Sequence, residues 1–195
     1  MQFIVESVTT AALANVADQI RHEVFEREWC VPLASTGFSE CIKRLTLLAT
    51  TTSHDPVGVV TVVDSTDDRL MREALGVDKQ SARIARYSQL AVLKPYRGLH
   101  VPLKLILEAR CRFVVPHNFD YSCLLFDASR ARSSSFCRML GFRPSLQTVM
   151  SYQGPSRILF RCETSPSADL RDTYAGRYLD ALAALALLDT RVKAG

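Results

Sequence analysis

The order of elements in the middle of the chain limits most strongly what it can become. Arg83 to Leu93 reads as a long central strand, Lys94-Pro95-Tyr96-Arg97-Gly98 interrupts it, and Gly98 to Val115 carries the apolar spacing of a helix. Tyr121 to Asp127 is again a strand, and Ser129 to Leu140 predicts a further helix closed by Gly141, a residue that tolerates the left-handed conformation of a helix end. A chain that alternates strands and helices in this way belongs to the α/β class.

The flanking segments complete the order. Gln2 to Val8 predicts a first strand, and Thr9 or Thr10 can cap a long helix in which Leu13, Val16, Ile20, Val24 and Phe25 recur at helical spacing up to Trp29. Cys30 to Lys43 is looser. The β-branched runs Arg44 to Thr52 and Val57 to Asp64 predict a hairpin around His54-Asp55-Pro56, and Asp67 to Leu75 a short helix. Leu146 to Tyr152 and Arg157 to Cys162 predict a second hairpin, and Ala168 to Val192 a final helix. No repeat or low-complexity tract interrupts this order. With 195 residues, 48% of them hydrophobic, the chain suits one domain over residues 1–195, of which 168–195 form a C-terminal helical extension.

Several function classes recede on composition. The N-terminus lacks the pattern of a signal peptide, and no stretch approaches the roughly 18 apolar residues of a membrane span, so a cytoplasmic location is expected. The six cysteines form no C-x-x-C pair and no zinc-ligand spacing; reduced thiols are expected, and no metal. Charge is unevenly placed. Between Ser81 and Pro144 eleven basic residues face three acidic ones, a local balance of +8 in a chain of net +4, which leaves the remainder at −4. Segregation of that kind predicts an anionic partner, such as a phosphorylated cofactor or an acidic protein. Nucleic acid is disfavoured because few aromatic residues interleave with the basic ones.

Four segments then carry a resemblance. Arg21-His22-Glu23-Val24-Phe25-Glu26-Arg27-Glu28-Trp29-Cys30-Val31-Pro32 resembles an R-x-x-V-F-x-x-E-x-x-V-P signature, and Gln89-Leu90-Ala91-Val92-Leu93-Lys94-Pro95-Tyr96-Arg97-Gly98 an L-A-V-x-P-x-Y-R-G segment. Leu124-Leu125-Phe126-Asp127-Ala128-Ser129 and Ser135-Phe136-Cys137-Arg138-Met139-Leu140-Gly141-Phe142 are similar to the strand and the F-Y-x-x-L-G-F helix end that follow. In this order they are similar to the GNAT acyltransferase superfamily. The resemblance implies a mixed, mostly antiparallel sheet splayed between two parallel strands and flanked by helices. It also implies an acyl-phosphopantetheine thioester as co-substrate rather than a tightly bound cofactor. Leu90, Ala91 and Val92 would line the pantetheine, with Ser129 on the next strand's end. Arg97, Gly98, Leu99, His100, Val101 and Pro102 would face phosphate at a helix N-terminus. The acceptor amine would attack the thioester directly, a backbone N–H stabilising the oxyanion.

The departures from the family pattern are informative. Histidine and proline stand at His100 and Pro102, where the phosphate loop normally has glycine or alanine, which weakens the loop as a pyrophosphate cradle. The thiol-protonating tyrosine is replaced by Cys137, and the fourth strand, Ala85-Arg86-Tyr87-Ser88-Gln89, lacks a carboxylate base. Catalytic candidates are therefore the polar groups nearest the reaction centre, Tyr87, Ser88, Gln89 and His100, together with Glu28. The Ser65 to Ala82 insertion, Trp29 close behind R-x-x-V-F, and the weakened glycine loop resemble the acyl-carrier-protein-dependent branch, that of N-acyl amino acid synthases and, more distantly, acyl-homoserine-lactone synthases. There the acidic residue and arginine that precede L-A-V correspond to Arg86 and Gln89 here. This branch implies an acidic carrier protein as partner, an amino acid or similar small amine as acceptor, and an apolar tunnel for a medium or long acyl chain. Acyl-CoA-dependent N-acetylation of a small amine or protein, and acyl binding without catalysis, are the alternatives. The oligomeric state is left open.

Overall fold

The structure is a computed structural model that describes residues 2–31, 33, 43–77, 81–98, 100–127, 137, 140–144 and 157–163. β1 (Phe3–Ser7) leads into α1 (Ala11–Arg21), which runs on in wider turns over His22–Glu28. β2 (Arg44–Thr51) and β3 (Pro56–Asp64) are followed by α2 (Arg69–Leu75) and β4 (Ile84–Val92). A tight turn at Lys94–Tyr96 precedes α3 (Val101–Ala109), whose last turns, Arg110–Val114, are again wide. β5 (Tyr121–Asp127), β6 (Arg143–Pro144) and β7 (Arg157–Glu163) complete one sheet in the order β1-β2-β3-β4-β5-β7-β6. Every neighbouring pair is antiparallel except β4 and β5, which run parallel.

Local chemistry accounts for the element ends. Thr10 caps α1 by accepting from the Leu13 N–H at 3.2 Å, and Asp68 does the same for α2 from Met71. The β2–β3 turn is held by Thr51 Oγ1, which accepts from the N–H groups of Ser53 and Asp55, with His54 in the left-handed region. Two expected boundaries shift. The α1 periodicity was expected to reach Trp29 as one helix, but beyond Arg21 the chain widens, and the Trp29 and Val31 N–H groups bond the carbonyls of Val24 and Phe25. The wider winding sets Phe25 and Trp29 edge to face at 5.0 Å. α3 begins at Val101 rather than Gly98, because His100 is left-handed (φ 62°) and Pro102 suits only the first turn. The expected helices at Ser129 to Leu140 and Ala168 to Val192, the strand Leu146 to Tyr152, and site residues Leu99 and Ser129 lie outside the described residues, apart from Cys137 and Leu140. Gly141 has the positive φ expected of it, 81°.

The sheet buries both faces. On one, Leu47, Val60, Val62, Ala85, Tyr87 and Val92 pack with Leu105, Ile106 and Phe142. On the other, α1 lays Ala17, Ile20 and Val24 on Leu48, Val59 and Ala91, while α2 covers Ile84 and Cys123 with Met71 and Leu75. Fully burying one such aliphatic side chain contributes about 1.5–3 kcal/mol, so the alternation of faces along each strand is strongly specified. β4 breaks that alternation once. Thr61 pairs with Ser88 and Val59 with Ala91, so β4 carries one extra residue there, and Gln89 takes φ 52°. The bulge keeps Ala91 on the α1 face and sends Leu90 and Val92 to the α3 face.

Gly58 allows the end of β4 and the start of α3 to meet on β3. A Cβ there would stand 3.1 Å from both Val101 Cγ1 and Val92 Cγ2 and 3.2 Å from the Ala91 carbonyl. Gly58→Ala is therefore expected to overpack this junction and cost about 1–3 kcal/mol, read as a lower denaturant midpoint. An unchanged midpoint would show that the junction yields.

Candidate active site

Parallel pairing between β4 and β5 runs only from Ile84↔Tyr121 to Tyr87↔Leu124. Past Tyr87, β4 continues to Val92 on β3 alone, and β5 continues to Asp127 on β7 alone. The two strands thus part at the bulge. Among the described residues, no strand pairs with the β5-facing edge of Ser88–Val92. Backbone polar groups along such an edge suit a ligand that hydrogen-bonds like a strand.

The start of α3 closes the wedge at the far end. Leu93 donates to the Val57 carbonyl at 2.9 Å, which holds the end of β4 in place, and the tight turn then delivers Arg97, Gly98 and His100 to the helix start. Free N–H groups in a first helical turn favour an anion, and Pro102 removes one of them.

Arg97 and Glu28, which sequence reasoning put in separate roles, form one unit. The Arg97 terminal nitrogens bond both Glu28 oxygens, its Nε donates to the Val92 carbonyl at 2.8 Å, and its guanidinium lies 5.7 Å from the Trp29 ring centre. The pair ties the end of the first helix to the loop after β4. Its hydrogen bonds to Arg97 hold the Glu28 carboxyl below its ordinary pKa, against a smaller opposing effect of burial. A carboxylate with both oxygens engaged by Arg97 is poorly placed to take an ammonium proton.

The remaining candidates separate by face. Tyr87 is 3% exposed and packs edge-on to Phe142 at 6.0 Å on the α3 side, within the core. Ser88 is partly exposed, on the α1 face beside the bulge, and Gln89 is the bulged residue. His100 stands at the helix start, at the far end of the wedge. Cys137 is fully buried, and desolvation pushes its thiol up to about 12. So weak an acid does not replace a thiol-protonating tyrosine.

The basic stretch is less free than its sequence implied. Arg83 bonds Asp64 and the His117 carbonyl and lies over Phe119, and Arg110 is buried. Lys104 and Arg112 donate to the carbonyls of Phe3 and Val5 along the edge strand β1. These contacts spend several of the +8 charges inside the fold. Among the described residues no group of His, Cys, Asp and Glu could hold a metal ion, and no helix is long and apolar enough to cross a membrane.

The Glu28–Arg97 pair is testable by titration. The Glu28 carboxyl, followed by NMR, should titrate below the ordinary glutamate range and return toward it in Arg97→Ala. Because the folded value is depressed, the stability advantage of the parent over Glu28→Gln should hold above the unfolded glutamate value and vanish as pH falls through the folded one. A Glu28 midpoint unmoved by Arg97→Ala would contradict the pairing.

No protein-family model matches the sequence, and no curated protein matches it. Solved structures do. FeeM, an N-acyl amino acid synthase from uncultured soil microbes, superposes with a TM-score of 0.68 at 13% identity, over 83% of this chain and 91% of that one. Arabidopsis thaliana NAA60, in complex with acetyl-CoA, gives 0.67 at 14% identity over 84% and 99%. Escherichia coli ElaA gives 0.61 at 15% over 83% and 100%. An acetyltransferase of the GNAT family from Staphylococcus aureus is also among the structural neighbours, and the parted parallel strands, the bulge between them and the helix that closes the wedge are set in a GNAT fold.

Proposed function

We propose that the chain is an N-acyltransferase that moves an acyl group from a phosphopantetheine thioester to the amine of a small acceptor. The observation that carries this reading is the β4 edge at Ser88–Val92, unpaired among the described residues, beside the Gln89 bulge and below the start of α3. A pantetheine arm laid along that edge would satisfy its backbone groups and bring the thioester carbonyl to the bulge, with phosphate at Arg97 to Pro102.

In the reaction the amine nitrogen attacks the thioester carbon; the C–N bond forms, the C–S bond breaks, and the thiolate leaves. A backbone N–H at the bulge stabilises the oxyanion, a contribution on the order of 3–4 kcal/mol when such a donor is well aimed. Ser88, on the α1 face beside the bulge, is our candidate for guiding the ammonium proton away. Glu28 positions, holding Arg97 and through it the donor loop. With Cys137 buried, water protonates the leaving thiolate.

For the donor we favour an acyl-carrier protein with a medium or long chain, and for the acceptor an amino acid. The resemblance of the sequence to the carrier-dependent branch, the likeness to FeeM and the proline in the phosphate loop support this. A carrier presents one phosphodiester and no adenosine diphosphate, so it asks less of that loop. The likeness to an acetyl-CoA-bound structure supports the second reading, transfer from acyl-CoA.

The protein should release free thiol from dodecanoyl-carrier protein in the presence of mixed L-amino acids, and more slowly from dodecanoyl-CoA. Release from acetyl-CoA alone would overturn the donor assignment. Donor binding without turnover on any thioester would overturn the enzyme. Arg97→Ala should raise the donor KM more than it lowers kcat, since the loop it braces binds phosphate; a pure kcat loss would contradict that role.

A further inference from the structure

β1 stands at the end of the sheet order, and among the described residues no strand pairs with its outer edge. Its sequence, Phe3-Ile4-Val5-Glu6-Ser7, opens on an apolar, β-prone run, and Ile4 is 45% exposed. A short apolar edge of this kind is a template for a further strand.

Register decides which backbone groups face outward. Just past the strand, the Val8 N–H bonds the Thr46 carbonyl at 2.9 Å, next to the Ser7↔Leu47 pair. Backbone groups alternate sides along an antiparallel ladder, so those of Ile4 and Glu6 also turn to β2, and the N–H and C=O groups of Phe3, Val5 and Ser7 turn away from it. The cations that reach β1 from α3 and its wide last turns end on this outward set. Lys104 Nζ donates to the Phe3 carbonyl, and an Arg112 terminal nitrogen donates to the Val5 carbonyl at 3.1 Å. Glu108 steadies Arg112 by accepting from its Nε at 2.8 Å.

The same register makes β1 complementary to itself. An antiparallel pair of β1 strands related by a two-fold axis would centre on Val5, with Phe3 of each copy opposite Ser7 of the other. Bonds between the copies would run from Val5 to Val5 in both directions, and in both directions between each Phe3 and Ser7. Every one of these bonds except those ending on a Ser7 carbonyl needs the carbonyl of Phe3 or Val5, the two that Lys104 and Arg112 hold. Pairing would also bring the two cations of one copy against the same two of the other.

We propose that Lys104 and Arg112 hold the β1 edge shut against a second copy of this chain. A strand able to join two molecules is thereby kept single, and two charges of the basic stretch serve to exclude a neighbour rather than to attract an anion. The inference is independent of the reaction proposed above.

A double variant, Lys104→Met with Arg112→Met, keeps the aliphatic stems and removes both carbonyl contacts. Amide exchange at Phe3, Val5 and Ser7, read by NMR, should be fast in the parent protein at every concentration. In the double variant, self-association measured by sedimentation equilibrium should strengthen at least about tenfold, as the release of one or two hydrogen-bond acceptors would give, and the same three amides should become protected as it proceeds. Ser7→Pro, added to the double variant, removes an outward N–H that takes no part in the β2 ladder and should return the protein to the parent's state. Lys104→Met alone provides the same readout if the double variant fails to fold. Protection of these amides that grows with concentration in the parent would overturn the proposal. So would a folded variant whose association is unchanged, protects other amides, or survives Ser7→Pro.

Discussion

The extra residue at Gln89 is the constraint on which the rest depends. Up to Tyr87, β4 obeys strict alternation and pairs on both sides; at Gln89 the backbone enters the left-handed region, at a cost of about 1–2 kcal/mol for a residue with a Cβ. That cost is offset by what the bulge arranges. It returns Leu90 and Val92 to one core and Ala91 to the other, and it coincides with the point at which β4 leaves β5. A continuous ladder would satisfy every backbone group and leave nothing for a ligand to bind. The strained residue and the open edge therefore belong to one feature, and strain of this kind gathers where a backbone must present itself to a ligand.

Around that feature, the polar groups divide the work by face. Tyr87, Leu90 and Val92 point into the α3 core, whereas Ser88, Arg86 and Arg21 share the α1 side. The Glu28–Arg97 pair spans from the first helix to the donor loop, so the wall of the acceptor side is physically attached to the loop proposed to bind phosphate. Disturbing either residue would alter the position of the other. In the proposed reaction, positioning falls to charge pairs and the chemistry to backbone groups.

Much of this was legible in the sequence, and the failures have physical causes. The helix cap at Thr10, the hairpin through His54 to Pro56, and the central strand from about Arg83 follow from local chemistry that tertiary packing did not override. The motif from Gln89 to Gly98 spans the end of β4, its bulge and the turn before α3. What one-dimensional spacing cannot show is pairing across 69 positions, so the contact between Arg97 and Glu28 was not foreseen. Nor does composition show that, within the +8 stretch, Lys104 and Arg112 hold the edge of β1.

The central claim is that a pantetheine arm pairs with the open edge of β4. Amide hydrogen exchange, resolved by NMR for Ser88 to Leu93, tests it most directly when measured with and without the dodecyl thioether analogue of dodecanoyl-CoA. The account predicts that the amides facing the wedge exchange fast in the free protein and become protected when the analogue binds, while those already bonded to β3 change little. Binding that leaves the β4 amides unprotected, or protects another strand edge in their place, would contradict it.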